Sequence, residues 1–233
     1  MRQVVLDTET TGIGPENGHR VIEIGCVEMI NRRLTNRHFH RYLNPEREVE
    51  EGAFKVHGIS TEFLQDKPLF KNIIPELISF IEGAEVIIHN APFDVGFLNA
   101  ELQRAHYQYS FEHHCRIFDT LVFAREKHPG LRNNLDALCK RYDIDNSNRD
   151  LHGALLDAEI LAWVYLAMTG GQTDLFSDDS VQKTQETKIA SYSELTSQSP
   201  VIFATEDELA SHEAFVQFLV KKSGVDLYSL SDG

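Results

Sequence analysis

Residues 4–12 read Val-Val-Leu-Asp-Thr-Glu-Thr-Thr-Gly, a run that opens like a buried strand and ends in two acids one residue apart. Side chains alternate between the faces of a strand, so Asp7 and Glu9 point the same way and stand only a few ångströms apart. Neighbouring same-face acids repel, and both lose solvation beside an apolar core. Such a strand end is tolerable only with a counter-charge close by.

The remaining pattern sets that strand in a layered fold. Strand-like runs recur at 21–30 (VIEIGCVEMI), 37–43 (RHFHRYL) and 85–89 (EVIIH), the first two of these joined by a polar RRLTN stretch that suits a hairpin. Helical spacing follows at 71–82, where Pro75 is a weakness near the first turn, then at 93–105, 119–127, 134–142 and 153–168. Antiparallel strands first, then strands alternating with helices, predict an α/β fold with a mixed sheet. His113-His114-Cys115 reads as a strand edge ahead of Asp119, a cap for the helix that follows.

At Gly170–Gly171 the character changes: residues 177–200 hold 12 Ser, Thr or Gln among 24, as a flexible linker does. Order is expected again at TEDELASHEAFVQFLVKK. There Thr205 and Glu208 form a capping-box pattern, and Leu209, Phe215, Val216 and Leu219 recur at helical spacing. One short amphipathic helix cannot build a core alone, so it needs a partner surface.

Composition narrows the class. Cys26, Cys115 and Cys139 are scattered among 233 residues, which is neither a disulfide framework nor a zinc module and fits a reducing cytosol. The start lacks the basic and apolar blocks of a signal peptide, and no stretch is long enough to span a bilayer. The net charge of −14 disfavours tight non-specific duplex binding, although residues 170–233 carry half of it, with 11 acids against 4 bases.

Two further acids fall where metal chemistry would use them. Pro92 suits the first turn of a helix after the strand ending at His89–Asn90, and Asp94 projects from that turn beside the strand's C-terminal end, the edge where ligands bind in open α/β sheets. Asp157 shares a helix face with Ile160, Leu161 and Val164, so it points inward. Alone, Asp94 reads as a complement to the helix dipole, and Asp157 equally as a salt-bridge acid. Together with Asp7 and Glu9 they fit two Mg²⁺ or Mn²⁺ ions, which prefer oxygen ligands. His152 precedes Asp157 by five residues, a step that within one helix leaves the two roughly 140° apart. Gly153 suggests instead that His152 sits in the turn entering the helix. There it could take a proton from an attacking water, or be an ordinary loop histidine.

DTET near the start, HNAPFD in the middle and HGALLDA near residue 155 resemble the three motifs of the DEDDh 3′–5′ exonuclease superfamily, above all its proofreading members in bacterial replicative polymerases. VIEIGCVE, AFKVHGIS and RNNLDALCKRYDIDNS extend the likeness over residues 1–176. The resemblance implies an RNase H-like fold with a mixed five-stranded sheet flanked by helices. It implies a metal site of Asp7, Glu9, Asp94 and Asp157, in which Asp94 works through water. It makes His152 the general base and has the terminal nucleotide of a single-stranded or frayed DNA 3′ end meet Asp7, Glu9, Asp157, His57 (in the KVHGIS loop) and Thr10. Gly52, in the loop before His57, stands where some relatives carry a more polar side chain.

Gln172, Leu175 and Phe176 in GGQTDLF resemble the short peptide with which bacterial replication proteins bind the sliding clamp. The expected organisation is an exonuclease domain over 1–170, a clamp-binding peptide at 171–176, a linker over 177–200 and a tail over 201–233 that docks on the polymerase's alpha subunit. A small accessory subunit on the N-terminal domain is a further expected partner, and the cytoplasmic replisome at the nucleoid the expected location. An RNA-trimming enzyme of the same superfamily, or a replisome scaffold without catalysis, are the alternatives.

Overall fold

The computed structural model describes residues 1–147, 151–170 and 205–223. They fall into two units, Met1–Asp178 and Asp179–Gly233. Among the described residues of the first, five strands form one sheet: β1 (Arg2–Thr10), β2 (Val21–Ile30), β3 (Arg33–Tyr42), β4 (Glu85–Ile88) and β5 (Arg116–Asp119), in the order β3-β2-β1-β4-β5. β1 runs antiparallel to β2 and parallel to β4, and β5 is parallel to β4. The sheet is mixed, as expected, and β1 is central, which is why Val4, Val5 and Leu6 are fully buried on both faces.

The helices are α1 (Glu51–His57), α2 (Thr61–Leu64), α3 (Phe70–Ile81), α4 (Ala91–Arg104), α5 (Thr120–Lys127), α6 (Leu135–Tyr142) and α7 (Ala154–Thr169). Val4, Leu6, Ile24 and Cys26 pack beneath α3 and α4 through Phe70, Leu77, Phe97 and Leu98. Val5, Val27 and Ile87 face the other way, onto Ala158, Leu161 and Tyr165 of α7. α5 and α6 close that layer through Ala124, Leu138 and Cys139 against Ile160 and Val164. Each such side chain contributes roughly 1.5–3 kcal/mol when fully buried, so the two-sided core fixes where the end of β1 must lie. Alternation along β1 then puts Asp7 and Glu9 on the α7 face, with Val5, and Thr8 on the α4 face, with Leu6.

One local expectation is corrected, and two hold with shifted bounds. Residues 51–57 are not a loop but α1, and His57 is its last residue. Residues 116–119 form a strand of their own, whose last residue, Asp119, caps α5 by accepting from Leu121 N and Val122 N and also accepts from Ala91 N at the start of α4. Pro75 lies inside α3, where the buried Phe70, Ile74, Leu77 and Ile81 hold the helix despite the missing donor.

In the second unit, α8 (Glu206–Ser223) begins with the expected capping box: Glu208 N donates to Thr205 Oγ1 at 3.3 Å, and Thr205 N donates to Glu208 Oε2 at 2.8 Å. Leu209, Phe215 and Phe218 are exposed on it. Gln172, Leu175 and Phe176, the linker and the ends of the tail lie outside the described residues.

Candidate active site

Asp7, Glu9, Asp94, His152 and Asp157 line one cavity of about 310 Å³ at the C-terminal end of β1. Each comes from a different structural cause. Asp7 and Glu9 are the last odd positions of β1, brought under α7 by strand alternation. Asp94 sits in the first turn of α4, after a chain reversal at Asn90, whose φ of 68° is left-handed. Asp157 sits in the first turn of α7 and is buried, and its backbone N donates to Gly153 O at 2.8 Å.

His152 lies outside the helix, so the 140° separation of a helical step does not apply. The chain folds back and sets its Nδ1 3.4 Å from Asp157 Oδ2, while its backbone N donates to Val56 O of α1 at 3.1 Å. One ligand atom each from Glu9, His152 and Asp157 falls within a 4.8 Å cluster. The imidazole remains 45% exposed beside a carboxylate that is 4% exposed, so it reaches both solvent and site.

Asp94 is 3% exposed. Burial pushes its carboxyl up to about 7, opposed by donors that include the Thr8 hydroxyl, 2.7 Å from Oδ1. A buried acid held this way, in a cavity also lined by Asp7, Glu9, Asp136 and Asp157, is one whose charged form a bound cation would favour.

A second hollow of about 240 Å³ shares Glu9 and Phe93 with the first and is walled by Thr10, Gly12, Val56 and His57. His57 is 5% exposed, and its Nδ1 accepts from Ile59 N at 3.0 Å, which leaves the proton on Nε2. Among the described residues, Nε2 is the buried side-chain polar atom with no hydrogen-bond partner, although the Thr10 backbone is close enough to act on it electrostatically. Burial lowers the imidazole's pKa, so the ring stays neutral. Thr10 turns its hydroxyl back onto Gly12 O at 2.8 Å, so what it offers the hollow is backbone. Gly52 opens on space: a Cβ there would meet nothing within 4 Å.

The cavity also holds residues not singled out from sequence, among them His89, Phe93, Asn134 and Asp136. His89 ends a strand-like run, and that position was the available signal. Its Nδ1 lies 2.9 Å from Thr120 Oγ1, and desolvation lowers its pKa.

A family model described as "Exonuclease" matches residues 4–165, the span that contains every one of these cavity groups. The DNA polymerase III subunit epsilon of Escherichia coli strain K12 is 50% identical over 235 residues, covering 97% of this chain and 97% of that one. The chain belongs to the DNA polymerase III epsilon-subunit family of exonucleases. Another member, from Haemophilus influenzae, is 48% identical over 236 residues, covering 96% of this chain and 92% of its own. Beyond the family the fold persists at low identity. A solved exonuclease I superposes with a TM-score of 0.65 at 19% identity, over 73% of this chain and 41% of that one. The sheet and its flanking helices are the RNase H-like fold of exonucleases. No helix among the described residues is long and apolar enough to cross a membrane.

Proposed function

We propose that the chain removes mismatched nucleotides one at a time from the 3′ end of DNA, as the proofreading subunit of a replicative polymerase, by cation-assisted hydrolysis with His152 as general base. The observation that carries this reading is the convergence of Asp7, Glu9, Asp94, Asp157 and His152 on one cavity at the end of β1. The residues fit hard divalent cations: four carboxylates, one of them buried with its pKa driven upward, form an oxygen-rich donor set. Asp7, Glu9 and Asp157 would hold two Mg²⁺ or Mn²⁺ ions, with Asp94 as the outer ligand acting through water. Such a pair, when bound, supplies the positive charge that phosphodiester displacement needs at the phosphate and the leaving 3′ oxygen.

His152 takes the proton of the attacking water. Asp157 orients the ring and stabilises the imidazolium that forms, and the ring's solvent-facing side returns the proton to bulk. A general base in this position contributes roughly 10²–10⁴-fold. The neighbouring hollow takes the terminal nucleotide: Val56 and Phe93 give it apolar walls, His57 Nε2–H is its donor, and the Thr10 backbone lies alongside. The last nucleotide must leave its stack to enter, so a frayed, mismatched end costs less to bind than a paired one.

Residues 1–170 would be the nuclease and 177–200 a tether. Gln172, Leu175 and Phe176 would engage the sliding clamp, and 201–233 the alpha subunit of polymerase III. The relatives' names, and the self-capped α8 with exposed Leu209, Phe215 and Phe218, support that division. Tethering keeps the nuclease at high local concentration by the primer end, so a chain of net charge −14 need not grip DNA by itself. A small accessory subunit on the N-terminal unit completes the set of partners. In the test, Asp7→Ala and Asp94→Ala abolish cleavage in Mg²⁺ without unfolding the protein. Near-normal rates in either variant would overturn the cation assignment.

A further inference from the structure

Glu23 is a further carboxylate at this end of the sheet, and the proposed chemistry does not use it. It lies on β2 directly opposite Glu9, on the face covered by α7, and is 2% exposed, yet it does not line the catalytic cavity. A buried carboxylate must be answered by donors. Oε1 lies 2.7 Å from His40 Nε2, and Oε2 accepts from Ala154 N at 3.1 Å. Ala154 is the first residue of α7. Its N–H belongs to the first turn, which has no intrahelical acceptor, and the N-cap position is Gly153, which has no side chain to offer.

The helix that carries Asp157, and that His152 leads into, is therefore capped from another strand. Two residues along β2, Gly25 lets the cap reach: a Cβ there would fall 2.2–2.4 Å from backbone atoms of Ala154 and Leu155, so the start of α7 lies directly on the strand. A carboxylate at the positive end of the helix dipole adds to the hold. On the other side, His152 N is tied to Val56 O.

We propose that Glu23 is a positioning residue for hydrolysis: by capping α7 from β2 it sets the placement of the segment from His152 to Asp157. The inference rests on the nuclease reading above, because it assigns to Glu23 the alignment of that reading's base and ligand. The acceptor oxygen, not the charge, is what Ala154 requires, so Glu23→Gln keeps the cap and Glu23→Ala removes it.

The test has two arms on the full chain. Steady-state cleavage of 5′-labelled single-stranded DNA in Mg²⁺ is measured for the wild type, Glu23→Gln and Glu23→Ala. Glu23→Ala should lose about 10–100-fold in kcat, the usual range for partners of ligating groups, with KM unchanged, and Glu23→Gln should stay near wild type. Amide exchange by NMR on the wild type needs no variant: the Ala154 N–H should be protected although it has no helical acceptor. Wild-type kcat in Glu23→Ala, a loss confined to KM, an equal loss in Glu23→Gln, or an Ala154 amide exchanging as freely as an unprotected one would each overturn the proposal. If Glu23→Ala does not fold, the Ala154 amide decides. Wild-type protein that does not cleave DNA would instead overturn the nuclease reading and leave the cap to be judged by exchange alone.

Discussion

With no cation bound, Asp94 is an acid held where its charged form is disfavoured, and this has a measurable cost. Raising a carboxyl from its ordinary value near 4 to about 7 corresponds to at most ~4 kcal/mol of bias toward the protonated fold. The bias is absent below the unfolded-state pKa, grows as pH rises through the interval, and is complete above about 7. Asparagine at this position is neutral at every pH and keeps an oxygen to accept from the Thr8 hydroxyl. Asp94→Asn should therefore stabilise the fold in EDTA at pH 8 by roughly 1–3 kcal/mol, about 2–10 °C in Tm, and gain about a third as much at pH 5. The same variant should not cleave DNA. Thermal unfolding followed by circular dichroism at the two pH values, beside a cleavage assay, reads both effects. An unchanged or lower Tm at pH 8, or an equal gain at both pH values, would refute the argument that burial of an ionised acid is the cause.

Other consequences follow from particular contacts. His57→Phe removes the buried Nε2–H and also the Nδ1 acceptor of Ile59 N, so KM for single-stranded DNA should rise several-fold and Tm should fall, by the roughly 1–3 kcal/mol of an unsatisfied buried donor; steady-state kinetics with a melt checks both. Gly25→Ala pushes a methyl into the α7 backbone and should cost roughly 1–3 kcal/mol or more, read from urea unfolding. Deleting residues 177–233 should leave cleavage of single-stranded DNA intact and abolish binding to the polymerase alpha subunit, measured by surface plasmon resonance.

How much of this was legible in the sequence depended on how far each signal reached. β1 and β2 were readable because long apolar runs buried on both faces leave few alternatives, and α7 because sixteen residues carry a sustained pattern. α1 was not: it is seven residues long, lacks a side-chain cap, contains Gly52, and leaves Phe54 and Val56 exposed, so it shows no amphipathic signature. β5 is four residues of mostly intermediate burial, too short for alternation to speak. Strand alternation was enough to place Asp7 and Glu9 together, and a first-turn position enough for Asp94. Gly153 was enough to place His152 in the turn entering α7, but its 3.4 Å approach to Asp157 was not legible, because loop geometry is not set by a helical repeat. The cap from Glu23 was hidden for a related reason: its partner lies 131 residues away, and only the close approach at Gly25 brings them together.

The most direct measurement is a timed digestion of 5′-labelled single-stranded DNA in Mg²⁺, run beside an RNA of equal length and an Asp94→Ala control. A ladder that shortens from the 3′ end, forms faster on DNA and is absent in the control is the expected result. Preference for RNA would contradict the proofreading role, and no cleavage of either strand would contradict the catalytic reading of the five residues at the end of β1.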